Sequence, residues 1–284
     1  MISFRNDELS STFMSIEELK KTCPKAFCTT PTNPNLSDKY VQATTIDVVN
    51  DLAKLGWYPV QAKQCKAKKN SSGIHSFHMI AFQNPDIKIN KIDDEGNVTI
   101  DAYPRIILTN SHDGFNSFKF MCGMFRLICS NGLVICDNEM VNMSIRHINY
   151  DFEKLRKVVV KAIEEVKTIV DTMNKMQTII LNEEQKRELA TEVVKIRKGI
   201  EEDEKVEISD EIIDDILTPV REEDKKMDLW TIFNVCQEKM IKGGFNFHTD
   251  RQKLRKQRAI TSIKKDIDYN QRLWLKATKY MQVA

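Results

Sequence analysis

The stretch NSHDGFNSFKFMCGMFRLICSNG, residues 110–132, decides the fold, because it is the densest run of aromatic, sulfur-containing and glycine residues in the 284-residue chain. Its only charged side chains are Asp113, Lys119 and Arg126. An Asp or Asn followed by Gly near each end predicts a turn there. From about Ser117 apolar and other residues alternate, which predicts a half-buried strand. The second half of the stretch also fits a helix face, so its secondary structure stays open.

Segments upstream and downstream of this stretch show the same two-residue alternation, with polar turns between them, and predict further antiparallel strands. A short helix over residues 44–56 precedes the first of them, with Thr44 and Asp47 at its start and Gly56 at its end. The predicted strand segments are residues 57–66, 75–83, 87–92, 98–103, 106–109 and 133–136.

After residue 150 the apolar period changes to that of a helix. The pattern predicts one long helix over residues 152–180, with an apolar stripe that runs from Phe152 to Ile180. A second helix follows over residues 182–199, and short helices begin at Ser209 and at Pro219. Asp228 caps a helix over residues 230–241, and a last helix begins at Asp268. The expected fold class is therefore α+β: a mainly antiparallel sheet with a short N-terminal helix and a long helix, followed by a helical C-terminal region.

Three regions of the chain follow from these patterns. Residues 1–43 form an irregular arm with one helical turn at 15–21, residues 44–150 the α+β sheet domain, and residues 151–284 the helical region. The formal net charge is +2, but it is unevenly distributed, with −7 over residues 151–230 and +8 over residues 231–284. The helical region therefore contains an acidic segment, 201–224, and a basic segment, 251–265.

Several sequence blocks resemble one known family. LTNSHDG (residues 108–114) and FRLICSNG (125–132) resemble the signature of a phage- and plasmid-borne family, domain of unknown function 932. The chain also has segments similar to later blocks of that family, in the same order. They are LWTIFNVCQEK (229–239) with the Gly-Gly pair at 243–244, IKKD (263–266) and NQRLW (270–274). The resemblance implies a mobile-element setting and assigns no mechanism.

Composition excludes several classes of protein. No apolar run is as long as a membrane span, and the N-terminus lacks a basic-then-apolar signal, so we expect no membrane association and a location in the cytoplasm of a phage or plasmid host. The seven cysteines include no CxxC pair, which favours reduced thiols that pack as small apolar groups. HExxH, P-loop and GxGxxG motifs are missing, and His75 and His78 would point to opposite faces of a strand. We therefore expect no metal, no cofactor and no enzymatic activity.

The central stretch nevertheless contains a candidate functional turn, formed by His112 and Asp113, and a candidate arginine, Arg126. Ser111, His112 and Asp113 are adjacent, and neighbours in a turn do not supply the convergent geometry of a catalytic triad. His112 fits a turn residue that bonds its own loop; the alternative is an acid–base group. Arg126 lies in an apolar run, so it either pairs with carbonyls or an acid such as Asp113, or contacts a ligand.

Two groups of basic residues indicate a polyanionic partner, because clustered Lys and Arg bind phosphate backbones. The alternative is a solvated basic face that pairs with the acidic segment 201–224 of the same fold. The first cluster contains Lys63, Lys66, Lys68 and Lys69. The second cluster contains Arg251, Lys253, Arg255, Lys256, Arg258, Lys264 and Lys265.

The order of elements over residues 44–180 also resembles the opening of Rad-fifty-two-like single-strand annealing proteins, which form rings and hold single strands in a basic groove. The function that we expect is that of a non-enzymatic, homo-oligomeric phage or plasmid protein that binds single-stranded nucleic acid, as an annealing or recombination factor. Trp57 or Tyr58 is available to stack on bases, although Trp57 fits the core better. The alternative is an interaction protein that inhibits a host defence component through its acidic segment, and a third hypothesis is a hydrolase centred on His112 and Arg126.

Overall fold

The computed structural model describes residues 13–30, 35, 44–65, 77–92, 98–113, 118–126, 131–135, 144–145, 152–201, 203–204, 206–248 and 254–283. The chain divides into two compact units. The first comprises residues 1–132 and 136–166, and the second comprises residues 133–135 and 167–284. Among the described residues, no helix has the length and apolarity that crossing a membrane requires.

Seven strands of the described chain form one sheet, which confirms the α+β class. Its order is β1-β2-β4-β5-β6, with β3 beside β4 and β7 beside β5, and the registers of β1 to β5 are antiparallel. The strands are β1 (Tyr58–Gln64), β2 (His78–Gln83), β3 (Ile89–Ile92), β4 (Val98–Asn110), β5 (Phe118–Arg126), β6 (Asn131–Ile135) and β7 (Ser144–Ile145).

β4 differs from the sequence prediction, because residues 98–103 and 106–109 belong to one strand that runs through Pro104. On one side, β4 pairs first with β3, up to Ala102, and then with β2, from Arg105. Pro104 lies between these two ladders, where the missing N–H of a proline interrupts neither. The second half of the central stretch, left open above, is strand as far as Arg126.

Two helices and a 3-10 turn precede the first strand. They are α1 (Ile16–Thr22), the 3-10 turn Pro24–Phe27 and α2 (Thr45–Lys54). Ser15 and Glu18 form the predicted capping box of α1, and the side chain of Thr44 caps α2. Leu19, Cys23 and Ala26 are fully buried, so the described part of the predicted irregular arm is packed into the first unit.

Helices cover one face of the sheet. α3 (Phe152–Thr178) begins in the first unit, where the Cys122 thiol donates to the carbonyl of Ala162 (3.3 Å). The apolar side chains of this sheet face are fully buried, and they include Phe120, as predicted. The side chains of Phe118, Phe125 and Leu127, also expected in the core, lie outside the described structure.

The second unit is built from helices and one hairpin. Its elements after α3 are α4 (Glu183–Lys198), α5 (Asp210–Leu217), the 3-10 turn Glu222–Asp224, α6 (Leu229–Lys242), β8 (Asn246–His248), β9 (Leu254–Lys256) and α7 (Ile263–Val283). Asn182 and Gln185 form the predicted capping box of α4, and Gly199 ends that helix in the left-handed conformation. Phe233 stacks on Trp230 (5.8 Å between ring centroids) and meets the ring of Trp274 edge-on (5.6 Å).

Three details of the helical region correct the sequence predictions. Ile180 follows the end of α3 and is 69% exposed, so it is not part of the buried stripe. Pro219 does not begin a helix, because it follows the end of α5 and precedes the 3-10 turn. α7 begins at Ile263 rather than Asp268, since the Ser262 hydroxyl accepts the backbone N–H of Lys265 (3.4 Å) and starts the helix earlier.

Candidate functional site

Four polar side chains meet inside the first unit, and we call Thr45, His78, Asn110 and His112 the buried polar cluster. Thr45 is the first residue of α2, and His78 and Asn110 are directly opposite each other where β2 begins and β4 ends. The Thr45 hydroxyl lies 2.8 Å from His78 Nε2 and 3.3 Å from His112 Nε2, and it accepts from Asn110 Nδ2 at 2.9 Å. All four residues are fully buried.

The Thr45 hydroxyl restricts how the two histidines are protonated. A hydroxyl has one hydrogen to donate and two lone pairs, and Asn110 occupies one lone pair. One imidazole Nε2 therefore accepts the hydroxyl hydrogen, and the other donates its hydrogen to the second lone pair. At most one of the two rings, whose centroids are 5.3 Å apart, can be a cation while this network is intact.

The candidate turn does not form a catalytic triad. The Ser111 hydroxyl donates to Asp113 Oδ1 (2.6 Å), so its only hydrogen is not directed at His112. His112 Nε2 contacts the hydroxyl of Thr45, which is 67 residues away in the sequence. The predicted turn residue that bonds its own loop does not account for this contact. Because His112 and Asp113 are both buried, neither can touch a substrate in this conformation. The side chain of Arg126 lies outside the described residues, so its role stays a prediction.

Arg105 is a buried cation that the sequence analysis missed. The residue is 4% exposed and lies opposite Gly123 of β5. Burial lowers its pKa to about 10, so the guanidinium is still charged at neutral pH. A charged residue within an apolar run is the pattern that made Arg126 a candidate. Arg105 lies in such a run too, so the same pattern also indicates Arg105.

Part of the second predicted basic cluster lines a groove at the β8–β9 hairpin of the second unit. The lining residues, which we call the basic groove, are Phe247, Arg255, Lys256, Gln257 and Arg258. The groove is open and measures about 750 Å³. Phe247 is half-buried, while the three cations are exposed.

The backbone of the basic groove is held by residues beneath it. The guanidinium of Arg197 donates to the carbonyls of Met240 (3.0 Å) and Arg258 (2.6 Å), and burial lowers its pKa. The N–H of Gly244 donates to the carbonyl of Gln257 (2.9 Å). Gly243 has a φ of 71°, and a Cβ there would lie 2.5 Å from the Gln257 carbonyl oxygen. The groove therefore needs glycine at residue 243.

The acidic segment 201–224 does not neutralise the basic groove. Four of its described carboxylates pair elsewhere: Asp210 and Asp214 with Arg187, Asp215 with Lys239, and Asp224 with Arg221. Within the part of the chain that the structure describes, no carboxylate lies within ion-pair distance of Arg255, Lys256, Arg258 or Lys265. This arrangement removes the internal pairing that was the alternative to a polyanionic partner for these four residues.

The other described residues of the two predicted basic clusters do not line the basic groove. Lys264 and Lys265 are exposed in the first turn of α7, and Lys63 is half-buried on β1. Residues Lys66, Lys68, Lys69, Arg251 and Lys253 lie outside the described residues. That the two basic clusters line one continuous surface therefore stays a prediction.

Two further expectations of the sequence analysis concern a base platform and a metal. Trp57, considered as a stacking residue, is 1% exposed and belongs to the core, which leaves only Tyr58 of that pair partly accessible. Among the described residues, no three His, Cys, Asp or Glu side chains are grouped so that they could hold a metal ion.

Comparisons with known proteins agree with the motif resemblance. The model of one family, described as domain of unknown function (DUF932), matches residues 35–274. Two relatives from Escherichia coli (strain K12) match along most of their length. UPF0380 protein YfjQ is 28% identical over 261 residues, and UPF0380 protein YafZ is 29% identical over 265 residues. Each match covers 92% of this chain and 89% of the relative. No solved structure matches the chain significantly, and the resemblance to annealing proteins gains no support.

Proposed function

The chain belongs to the family described as domain of unknown function (DUF932), and we propose that it is a non-enzymatic protein that binds nucleic acid through the phosphate backbone at the basic groove. Neither the family description nor the relatives' names state an activity. The proposal therefore rests on the chain's own residues.

One observation carries this proposal: Arg255, Lys256 and Arg258 are exposed and line one groove, with no carboxylate paired to them in the described structure. Cations brought this close repel one another unless an anion lies near them. A phosphate backbone supplies regularly spaced charges, and its binding releases condensed counterions. Contacts to phosphates position a strand without reading its bases, so we expect binding that is independent of sequence.

A salt titration tests this proposal. The groove variant Arg255→Ala/Lys256→Ala/Arg258→Ala should bind an oligonucleotide more weakly than the unmodified protein. Each lost phosphate contact should flatten the log–log salt dependence by about 0.7 for a single strand and about 0.9 for a duplex. Fluorescence anisotropy at several salt concentrations measures both quantities.

A matched control removes the same charge from a different surface. Arg156, Lys157 and Lys175 are exposed on α3, and their triple alanine variant also loses three cations. We expect this variant to keep the affinity and the salt slope of the unmodified protein. Equal losses in the two variants would show attraction by net charge alone and would contradict a defined site.

The rival proposal is an interaction protein that inhibits a host defence component through the acidic segment 201–224. Its carboxylates at Asp210, Asp214, Asp215 and Asp224 already bind cations of their own unit, so fewer of them are available to a partner. No binding of the unmodified protein to any oligonucleotide at low salt would favour this rival. The predicted homo-oligomer is a separate proposal, which light scattering measures.

A further inference from the structure

The geometry points to single-stranded nucleic acid as the ligand of the basic groove, with Phe247 as the platform on which a base stacks. This inference rests on the proposed function and deepens it, because it names the strand form and one residue that selects it. Base stacking on Phe247 can be refuted while binding of the phosphate backbone is still observed.

Phe247 is placed among the cations by the hairpin itself. β8 and β9 are antiparallel, and Phe247 is directly opposite Arg255 in their register. Directly opposed side chains lie on the same face of a strand pair. Lys256 is opposite Asn246 in the next pair, and Gln257 and Arg258 continue the lining of the groove. The ring of Phe247 and the guanidinium of Arg255 therefore share one face of the hairpin, and Lys256 and Arg258 also line the groove.

Two phenylalanines near this hairpin are packed differently. Phe245 is 1% exposed and anchors the hairpin to the core of the second unit. Phe247, two residues later, is only half-buried and lines the groove. Since Phe245 already supplies the buried anchor, the partly open ring of Phe247 is available to a ligand.

An accessible aromatic ring among cations distinguishes between the two strand forms. In a duplex the faces of the bases are covered by their neighbours, so a ring in the groove would meet only backbone. In a single strand the base faces are accessible, and each base can stack on an aromatic side chain while cations hold the adjacent phosphates. The guanidinium of Arg255, opposite the ring, can also stack on a base.

Hydrogen bonds hold the backbone that carries the ring and the cations. Arg197 holds the carbonyl of Arg258, and the N–H of Gln257 donates to the carbonyl of Phe245 (2.8 Å). Asp215 Oδ2 accepts from the backbone N–H of Asn246, beside Phe247 (3.0 Å). A ring and cations that extend from a held backbone can accept one base and the flanking phosphates together.

Three variants at Phe247 separate stacking from packing. Phe247→Ala removes the ring, Phe247→Leu keeps an apolar side chain without a ring, and Phe247→Tyr keeps the ring. The probes are an oligothymidylate and a mixed-sequence duplex of the same length. We expect Phe247→Ala to weaken single-strand binding about 5- to 150-fold, as for the loss of one stacked base. Duplex affinity should change less than about 2-fold, since phosphate contacts alone hold the duplex.

The other two variants and the salt slope complete the test. Phe247→Leu should lose most of the single-strand affinity, and Phe247→Tyr should retain it. The salt slope of Phe247→Ala should equal that of the unmodified protein, because no phosphate contact is lost. Circular dichroism of each variant confirms that the fold is kept.

Each contrary outcome has a definite meaning. If the unmodified protein binds single strands and Phe247→Ala binds them equally well, or loses single-strand and duplex affinity equally, the platform is refuted and phosphate binding stands. If Phe247→Leu binds like Phe247→Tyr, apolar packing rather than stacking is responsible, which also overturns the inference. If the unmodified protein binds neither probe, the proposed function and this inference fail together.

Discussion

At the scale of single residues, the hydroxyl of Thr45 joins side chains from β2, from β4 and from the turn after β4. Removing it takes one hydrogen bond from each of three buried side chains, and each such loss destabilises the folded state by about 1–3 kcal/mol. Thr45→Val keeps the shape, so the free energy of unfolding should fall by at least that amount in urea denaturation. Thr178→Val is the control, because that hydroxyl is exposed and bonds only within its own helix; it should change stability by less than about 0.5 kcal/mol.

Two buried thiols should be inert in the folded protein. Burial raises the pKa of Cys236 to about 12 and that of Cys23 to about 11. Because the thiolate is the reactive form, iodoacetamide at about pH 8 should leave both unmodified until the protein is unfolded. Mass spectrometry of peptides from native and denatured samples measures this. Rapid native modification of Cys236 would show that α6 opens easily.

Local sequence patterns indicate some residues of the buried polar cluster and not others, because only some of their contacts are local. Residues 110–113 stood out because polar side chains interrupted an apolar region, and the structure places all four inside the first unit. Their partner Thr45 was not identified, since the Thr45–His112 contact joins residues 67 positions apart and leaves no local pattern. Thr44, whose partner is three residues away, was predicted correctly as the cap of α2.

At the scale of elements, local patterns predicted the helices with capping motifs, and α1, α2, α4 and α6 all begin at the predicted caps. The start of α7 was predicted five residues late, because the basic run of residues 251–265 was treated as one segment. In the structure its described residues, 254–265, divide among β9, a stretch without regular secondary structure and the first turn of α7. The β8–β9 pairing, and with it the role of Phe247, depends on tertiary contacts that a local pattern does not contain.

Gly243 and Gly199 allow two substitutions at helix ends to be compared. Both have a φ of 71°, but ψ is 31° at Gly199, where alanine is strained by about 1–2 kcal/mol, and −144° at Gly243, a region that is essentially restricted to glycine. A Cβ at Gly199 has no atom within 4 Å, whereas a Cβ at Gly243 lies 2.5 Å from the carbonyl oxygen of Gln257. Urea denaturation should therefore show a larger loss for Gly243→Ala than for Gly199→Ala. Equal losses would mean that the segment after β9 moves away at little cost.

At the scale of the whole molecule, acidic and basic residues are separated along the sequence but meet in ion pairs within the second unit. Arg221 donates from both terminal nitrogens to Glu238 (2.7 Å each), and Lys242 donates to the same carboxylate (2.8 Å). Burial alone would raise the pKa of Glu238, but the hydrogen bonds from Arg221 and Lys242 outweigh it and hold that pKa below its ordinary value.

This ion pair predicts how stability depends on pH. A carboxyl whose pKa is lowered by folding stabilises the protein above its ordinary pKa and loses that contribution as the pH falls through the lowered value. Glu238→Gln should be less stable than the unmodified protein at about pH 7, and the difference should shrink towards about pH 3. Glu207→Gln, at an exposed carboxyl, should match the unmodified protein throughout. A difference for Glu238→Gln that stays constant with pH would refute the assignment.

The contact of Arg197 with the carbonyls of Met240 and Arg258 also bears on rates. Ordering the backbone of one residue requires about 1–2 kcal/mol of conformational entropy. Here the backbone at Arg258 is already held by Arg197 in the free protein, so a ligand need not drive a folding step there as it arrives. Association should then be limited by diffusion under electrostatic attraction, with a rate constant that falls as the ionic strength rises.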